Sequence, residues 1–171
     1  MTPEAGRPAG WGEPVDRAVL CFIVRAADVL LIDKKRGLGA GKVNAPGGRI
    51  EPGETPEQAA VRETGEEIGV TPLGLRRCGV LWFRFTDGYS LHCIVFRASG
   101  LEGEPIETDE AKPFWAPIER LPFDRMWADD AHWLPHVIRG ETFEAWFDFD
   151  GERMLDGQVV VGDGTAPVPK P

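Results

Sequence analysis

The sequence predicts an α/β fold in which a mixed β-sheet packs between helices. Segments typical of strands come before, between and after two segments typical of helices, and this order favours a sheet covered by helices. The chain has 171 residues, of which 42% are hydrophobic, so it is long enough for one buried core. No internal repeat is found in the sequence. We therefore expect one folded domain.

The two ends of the chain differ from its middle in composition. Residues 1–16 and 162–171 are rich in Gly, Pro and Ala and show no hydrophobic period. They are predicted to form a flexible N-terminal extension and a flexible C-terminal tail. The domain is expected to span residues 17–161.

The domain is predicted to begin with a β-hairpin. Ala18–Val24 and Val29–Asp33 are apolar segments typical of strands, and the polar stretch Arg25–Asp28 joins them. A glycine-rich loop over residues 34–48 follows the hairpin.

The first helix has clear start and stop signals. Thr55 can act as the N-cap, Pro56 suits the first helical position, and Gln58 completes a capping box. Gly69 comes directly after Ile68 and is the residue type that most often ends a helix. We expect a helix over residues 56–68.

The second half of the chain is predicted to alternate strands with one further helix. In that helix Asp129 or Asp130 can cap the start and Gly140 can end it, while Pro135 must kink or shorten it. The predicted elements are a hairpin over residues 80–85 and 90–98 around an Asp-Gly turn, a strand near 114–116, the helix within 129–140, and a strand, Asp-Gly turn and short strand over 141–161.

Charge and cysteine content exclude several classes of protein. The formal net charge of -9 argues against a binder of nucleic-acid polymers or anionic membranes, since both need a basic surface. The longest apolar run, Ala18–Val24, is far too short to span a bilayer, and the N-terminus does not resemble a signal peptide. Cys21, Cys78 and Cys93 lack zinc-ligand spacing. We expect a cytoplasmic monomer.

Three acids crowd one side of the first predicted helix. Glu63, Glu66 and Glu67 are neighbours at helical spacing, where each like-charge pair costs roughly 0.2–0.5 kcal/mol. One interpretation is a solvated acidic face with Arg62 as a partner. The other is a divalent-cation site, for which carboxylates on a rigid face supply hard oxygen ligands. The turn-forming glycines before the helix favour the second interpretation.

This region resembles the signature of the Nudix (MutT-like) hydrolases. The resemblance rests on Gly48, then Glu54 after five residues, and then residues 62–70, RETGEEIGV, after seven more. It implies an α/β/α Nudix sandwich that cleaves a nucleoside diphosphate linked to another group, with Mg²⁺ or Mn²⁺ as the cofactor. Thr64 departs from the family pattern, in which an aliphatic residue is usual.

The resemblance also implies roles for individual residues. Glu54 and Arg62 would form a pair that steadies the helix against the preceding loop. Glu110 matches an acid proposed in the family as an extra metal ligand or base. The implied metal ligands are the carboxylates of Glu63, Glu66 and Glu67 and the carbonyl of Gly47.

Outside the signature, residues 17–160 resemble the oxidised purine nucleoside triphosphatases, a subfamily known for action on 8-oxo-dGTP. The segments that carry the resemblance include the glycine-rich loop and the stretch around residues 121–149. Lys34 matches a lysine on the pocket or phosphate side. The implied base pocket consists of Asn44, Trp127, Asp129 and Asp130.

The chemistry of an oxidised purine suits that pocket. Oxidation at C8 places a proton on N7, and this turns an acceptor into a donor that a carboxylate can accept. Asp129 and Asp130, if they share one proton, can present both a donor and an acceptor. From the local pattern alone, Trp127 is more typical of a core residue and Asp129 of a helix cap, and the wider resemblance reverses that order.

Several positions depart from the subfamily. Leu38 and Val43 stand where relatives carry aromatic residues, and Val19 stands where a hydroxyl residue helps to read the base, so we expect a roomier pocket. His132 and His136 have spacing compatible with zinc, but no third ligand is apparent and we assign them to structure.

We therefore predict a Mg²⁺-dependent pyrophosphohydrolase that sanitises the nucleotide pool. It would convert oxidised purine (deoxy)nucleoside triphosphates such as 8-oxo-dGTP to the monophosphate and pyrophosphate. One alternative is another Nudix substrate, such as a dinucleoside polyphosphate, ADP-ribose or capped RNA. A second alternative is a noncatalytic nucleotide-binding module on the same fold.

Overall fold

The computed structural model describes residues 7–162, which form eleven strands, two α-helices and one 3-10 turn over Phe123–Arg125. The helices are α1 (Pro56–Ile68) and α2 (Asp130–Ile138). The strands are β1 (Asp16–Arg25), β2 (Asp28–Lys34), β3 (Val43–Asn44), β4 (Gly47–Arg49), β5 (Thr71–Leu73), β6 (Arg76–Phe85), β7 (Ser90–Ala98), β8 (Gly100–Glu102), β9 (Ala111–Pro117), β10 (Phe143–Asp150) and β11 (Arg153–Val161).

Nine of these strands form one mixed sheet. Its main path runs β11-β10-β6-β7-β1-β2-β3, while β4 pairs with β1 and β9 pairs with β2. The pairs β1–β7 and β6–β10 are parallel, and the other pairs in this sheet are antiparallel. β5 and β8 form a separate two-stranded ribbon.

The alternation of side chains along β1 places the two helices on opposite faces of the sheet. Cys21 and Ile23 belong to a buried cluster that includes Ala60 of α1. Phe22 points to the other face, where its ring lies 5.7 Å from that of Trp133 of α2. The predicted mixed sheet between helices is confirmed.

The first helix has the predicted bounds and caps. The Thr55 hydroxyl accepts a hydrogen bond from the Gln58 N–H at 3.1 Å, and the Gln58 side chain accepts one from the Thr55 N–H at 2.9 Å. Gly69 follows in the left-handed conformation, with φ of 75°. Thr64 is buried and donates to the Ala60 carbonyl at 2.7 Å, so its hydroxyl is satisfied inside the helix.

The predicted hairpins are present, and the glycine-rich loop between them is more ordered than its composition indicates. Lys34 donates from its N–H to the Lys42 carbonyl at 3.0 Å, and Gly41 donates to the Lys34 carbonyl at 2.8 Å, which closes residues 34–42 into a tight loop. β3 and β4 follow directly. These strands have only two and three residues, so no alternating pattern could reveal them.

The start of α2 differs from the prediction. Asp129 occupies the N-cap position, but its backbone is helical, with φ of −73° and ψ of −25°, and its carboxylate makes no capping bond. Asp130 is the first helical residue. The helix continues for three residues beyond Pro135, and Gly140 follows with φ of 74°. The predicted role of either aspartate as a side-chain cap is therefore wrong.

The described part of the predicted N-terminal extension contacts the sheet. The Trp11 ring lies 6.1 Å from that of Trp146, and the Arg84 guanidinium lies 4.3 Å from the centroid of the Trp11 ring. β11, predicted as a short strand, has nine residues and pairs along β10. Residues 1–6 and most of the predicted tail, 163–171, lie outside the described residues. Within the described range, neither helix is both long and apolar enough to cross a bilayer.

Candidate active site

A cavity of about 1080 Å³ extends from the first helix to the start of the second. We call the end beside α1 the acidic end and the end beside α2 the aspartate end. Among the residues predicted for the site, only Glu54 and Arg62 do not line the cavity. The lining residues that the sequence predicted are Lys34, Asn44, Gly47, Glu63, Glu66, Glu67, Glu110, Trp127, Asp129 and Asp130.

The acidic end is built around three carboxylates. One carboxylate oxygen from each of Glu63, Glu67 and Glu110 lies within 4.8 Å of the other two. Glu63 and Glu67 are one turn apart on α1, whereas Glu110 directly precedes β9. Thr108 connects the two segments, because its hydroxyl donates to the Glu67 carbonyl at 2.7 Å.

Glu66 lies apart from this group. Its side chain is 53% exposed, and its Oε2 accepts from Arg62 at 3.2 Å. The predicted ligand set of Glu63, Glu66 and Glu67 therefore overlaps only partly with the group that the fold brings together. Glu110 completes that group.

The backbone at Gly47 and Gly48 approaches these carboxylates closely. The Gly47 N–H donates to Glu67 Oε1 at 3.4 Å. A Cβ atom at Gly48 would lie 2.4 Å from the carboxyl carbon of Glu63, and one at Gly47 would lie 2.1 Å from the Val19 carbonyl oxygen. A side chain at Gly47 would clash with the backbone, and one at Gly48 would displace the Glu63 carboxylate, which explains the two glycines. The observed contact of Gly47 is through its N–H, and metal binding by its carbonyl stays a prediction.

Arg62 and Glu54 form a bidentate pair behind the cluster. Arg62 donates from Nε and Nη2 to the two Glu54 carboxylate oxygens at 2.7 and 2.9 Å. Its Nη1 donates to Glu63 at 2.8 Å, and its Nη2 also donates to the Arg49 carbonyl at 3.0 Å. Hydrogen bonding to Arg62 lowers the pKa of Glu54 to about 2. This network fixes the orientation of Glu63 relative to the loop.

At the acidic end, nearby positive groups do not fully balance the clustered acids Glu63, Glu67 and Glu110. The Glu67 side chain is 5% exposed, and burial raises its pKa to about 8, an effect that the neighbouring Glu63 increases. The Gly47 N–H and the Lys34 ammonium act in the opposite direction. Three crowded oxygen donors of this kind fit a hard divalent cation.

The aspartate end also buries carboxylates, but without an arginine. Asp129 and Asp130 are 2% and 3% exposed. Asp129 Oδ2 accepts from the Trp133 indole N–H at 2.7 Å, while Asp130 Oδ2 has no hydrogen-bond partner among residues 7–162. Burial raises the pKa of Asp129 to about 6. Burial and the adjacent Asp129 raise that of Asp130 well above its usual value. The pair therefore favours a protonated state.

Aromatic rings complete the aspartate end. The Trp127 ring is in edge-to-face contact with Phe85 at 6.2 Å and with Phe149 at 5.5 Å. Phe83, Phe85 and Phe149 line the cavity, and we did not predict them from the sequence. The sequence did hold a signal for them, because in VLWFRF and FDFD these phenylalanines alternate with residues that point to the opposite face of the sheet.

The positions that depart from the subfamily have different surroundings. Leu38 lines the cavity and is 50% exposed, and Val19 lines it from β1. Val43 is fully buried in the core and does not border the cavity, so the predicted widening of the pocket at this residue is wrong. His136 lies 3.2 Å from Glu141, a contact in keeping with a structural role.

Comparison with known proteins agrees with this geometry. The model of the NUDIX domain family matches residues 14–137. An oxidized purine nucleoside triphosphate hydrolase of Danio rerio is 44% identical over 139 residues, which cover 80% of this chain and 88% of that protein. The corresponding hydrolase of Mus musculus is 35% identical over 137 residues, with coverage of 80% and 88%.

Shorter and more distant matches point the same way. An 8-oxo-dGTP diphosphatase of Escherichia coli strain K12 is 44% identical over 66 residues, or 39% of this chain and 50% of that protein. The crystal structure of a MutT protein from Bacillus halodurans has a TM-score of 0.77 at 26% identity and covers 85% of this chain and 97% of that one. Nudix hydrolases generally need divalent cations. This chain belongs to the Nudix family and is a Nudix hydrolase.

Proposed function

We propose that this enzyme hydrolyses oxidised purine (deoxy)nucleoside triphosphates, such as 8-oxo-dGTP, to the monophosphate and pyrophosphate. The observation that carries the proposal is the buried pair Asp129 and Asp130 in the same cavity as the acidic cluster. The names of the relatives in zebrafish, mouse and Escherichia coli support it.

The aspartate pair is suited to an oxidised base. An 8-oxopurine carries a proton on N7 and therefore offers a donor where the ordinary purine offers an acceptor. Because burial favours protonation of the pair, one carboxyl can accept from the base while the other donates to it. Asp130 Oδ2, which has no hydrogen-bond partner among residues 7–162, is free to contact the base. Asn44 and the ring of Trp127 would complete the contacts with the base.

The acidic end would hold the triphosphate with Mg²⁺, or with Mn²⁺ as a substitute. A divalent cation, when bound, neutralises phosphate charge and makes water a stronger nucleophile. Glu63, Glu67 and Glu110 would hold it, with Glu66 and the Gly47 carbonyl as the further predicted ligands. Lys34 would contact the phosphates from the opposite wall, and Arg62 would keep Glu63 in place. Water would attack in line, with no covalent enzyme intermediate.

The test is steady-state hydrolysis of 8-oxo-dGTP, dGTP, 2-hydroxy-dATP and a diadenosine polyphosphate under identical conditions with Mg²⁺. Products are identified as monophosphate and pyrophosphate or otherwise. A preference in kcat/KM for an oxidised purine is expected. Equal kcat/KM values for 8-oxo-dGTP and dGTP, or activity confined to the dinucleotide, would overturn the proposal.

One observation favours a second candidate substrate. Leu38 leaves the cavity open at a position where relatives carry an aromatic residue, and its side chain is half exposed. A roomier opening suits a larger substrate such as a dinucleoside polyphosphate. The same assay separates the two candidates, and comparing the parent with Leu38→Phe shows whether the opening sets the preference.

We also propose that the enzyme acts in the cytoplasm as a monomer. Cys21, Cys78 and Cys93 are free and buried, and burial raises the pKa of each thiol, in keeping with a reducing compartment. Light scattering coupled to size-exclusion chromatography tests the oligomeric state. A dimer mass at micromolar concentration would overturn that part of the proposal.

A further inference from the structure

Lys42 joins two separate segments of the chain across Trp127. Its Nζ lies 5.3 Å from the centroid of the Trp127 ring and 2.9 Å from a carboxylate oxygen of Glu152. Lys42 belongs to the glycine-rich loop, whereas Glu152 belongs to the turn between β10 and β11. One ammonium group therefore connects a loop, an aromatic ring and a hairpin turn.

These contacts reach Trp127 from outside the cavity. Trp127 lines the cavity, but Lys42 and Gly39 do not. A Cβ atom at Gly39 would lie 2.8 Å from the Trp127 indole nitrogen, so the loop backbone touches the ring directly. Phe85 and Phe149 contact the ring from the cavity wall. The ring is thus held by the wall and by the loop behind it.

The loop fixes the position of Lys42 itself. The Lys42 N–H donates to the Gly39 carbonyl at 2.9 Å, and its carbonyl accepts from the Lys34 N–H at 3.0 Å. Its side chain is 24% exposed, whereas that of Glu152 is 69% exposed. A partly desolvated cation interacts more strongly with an indole than an exposed one does. The contact with Trp127 should therefore matter more than the ion pair.

We propose that Lys42 is a positioning residue that fixes Trp127 as the stacking surface for the purine base, with Glu152 holding the ammonium in place. This inference rests on the proposed function, which assigns Trp127 to the base. A ring that is already ordered before binding loses less conformational freedom when the base stacks on it. Lys42 therefore acts on substrate affinity.

Lys42 also influences the aspartate pair. Burial and the charge of Asp129 raise the pKa of Asp130, whereas a backbone hydrogen bond and the Lys42 ammonium lower it. The ammonium therefore favours one retained negative charge on the pair. One carboxylate and one protonated carboxyl are the forms that the proposed contact with the base requires.

Four variants test the proposal. Lys42→Met keeps the apolar stem without the charge, Lys42→Arg keeps a cation, and Glu152→Gln removes the ion pair alone. Arg153→Met is the matched control, because Arg153 follows Glu152 directly at the start of β11 and pairs with Asp150 at 3.7 Å on the surface. For each variant, kcat and KM are measured separately with 8-oxo-dGTP and Mg²⁺. The Kd for 8-oxo-dGMP is measured in metal-free buffer with a chelator.

The expected result is a split between binding and turnover. Lys42→Met should raise KM and Kd by about three- to tenfold, from the usual strength of such cation–ring contacts, and leave kcat within about twofold. Lys42→Arg should restore both constants to within about twofold of the parent. Glu152→Gln should change them by no more than about threefold, because exposed ion pairs contribute little. Arg153→Met should match the parent.

The outcomes separate this inference from the proposed function. If the parent enzyme does not prefer 8-oxo-dGTP to dGTP, the proposed function fails and the inference fails with it. If the preference is present but Lys42→Met leaves KM and Kd unchanged, only the role of Lys42 is overturned. A rise in both constants that Lys42→Arg does not reverse also overturns that role, because a general packing defect would then explain it.

Discussion

The two ends of the cavity both bury carboxylates, but the protein surrounds them differently. At the acidic end, Glu63, Glu67 and Glu110 converge within 4.8 Å, and Arg62 donates to Glu63. At the aspartate end, Asp129 and Asp130 at the start of α2 are almost fully buried, and Asp129 accepts one hydrogen bond from the Trp133 indole.

This difference decides how the negative charge is neutralised. Convergent carboxylate oxygens beside the Arg62–Glu54 ion pair offer several ligands to one hard cation. At the aspartate end two carboxyls lie in an apolar wall, and burial raises the pKa of both. In the proposed function, carboxyl groups would serve phosphate chemistry at one end and base recognition at the other.

The strongest test of the acidic end is Glu67→Gln. Loss of one central carboxylate should lower kcat for 8-oxo-dGTP by roughly 10²–10⁴-fold, the range for a group that acts on the reacting atoms. Steady-state hydrolysis and a thermal melt measure activity and folding in the same preparation. Glu104→Gln, an exposed position away from the cavity, is the control. Near-parent activity in a folded Glu67→Gln protein would contradict the metal-site assignment.

At the aspartate end, Asp130→Asn should change specificity more than chemistry. An amide cannot share a proton with Asp129 as the carboxyl can, so kcat/KM for 8-oxo-dGTP should fall by roughly 10- to 100-fold, because a hydrogen bond left unmade at a buried group costs about 1–3 kcal/mol. The value for dGTP should change much less. The ratio of the two kcat/KM values is the measured quantity, and Asp124→Asn, an exposed acid of the 3-10 turn, is the control. An equal loss of kcat/KM for both substrates would show that Asp130 does not recognise the base.

Arg62→Lys tests the support of the acidic end. A lysine cannot reproduce the bidentate contact with Glu54, so affinity for Mg²⁺ should fall about tenfold, as for other residues that orient metal ligands. The measurement is activity as a function of Mg²⁺ concentration. The matched control is Arg77→Lys, since Arg77 makes a similar bidentate contact with Glu57 on the same helix, at 2.7 and 3.0 Å. An unchanged requirement for Mg²⁺ in Arg62→Lys would show that the pair is not needed to orient Glu63.

The last expected effect concerns the pH dependence of stability and leaves turnover aside. Burial raises the pKa of Asp129 from an ordinary 3.8 to about 6 in the folded state, so the unfolded chain binds fewer protons between these values. The stabilisation from protonated Asp129 is fully present below pH 3.8 and is lost as the pH rises through about 6. A rise in pKa from 3.8 to about 6 corresponds to roughly 3 kcal/mol at full titration.

Chemical denaturation of metal-free protein at several pH values measures this effect. The free energy of unfolding should fall more steeply from about pH 4 to pH 6 in the parent than in Asp129→Asn. Glu67 contributes a slope of the same sign to both proteins, so the difference between them reports the aspartate pair. Equal slopes would show that the pair titrates normally.

Much of the acidic end could be predicted from the sequence because its elements depend on short-range contacts. Residues within one or two helical turns are enough to predict the cap at Thr55 and the end of α1 at Gly69. They are also enough to predict that the glutamates share one turn of α1. Glu66 shows the limit of prediction from short-range contacts. Its helical position is the same as predicted, but its side chain turns to Arg62 instead of the group formed with Glu110.

The aspartate end was harder to predict because a local pattern allowed two outcomes. Asp129 stands at the helix start, where an aspartate usually caps, yet it accepts from Trp133 and leaves the backbone uncapped. The Trp133 ring packs against Phe22 of β1 and Phe143 of β10. These strands are distant in sequence and are brought together only in the folded sheet.

The sequence by itself determined the family, the bounds and caps of α1 and the identity of most of the acids that line the cavity. Only the tertiary structure decided that Glu110 joins Glu63 and Glu67, that Val43 is core while Leu38 borders the cavity, and that Lys42 lies behind Trp127. Helix caps and the hydrophobic periodicity of helices and strands depend on a few neighbouring residues. The shape of the cavity depends on strands and loops distant in sequence, and their packing is stabilised by many weak contacts at once.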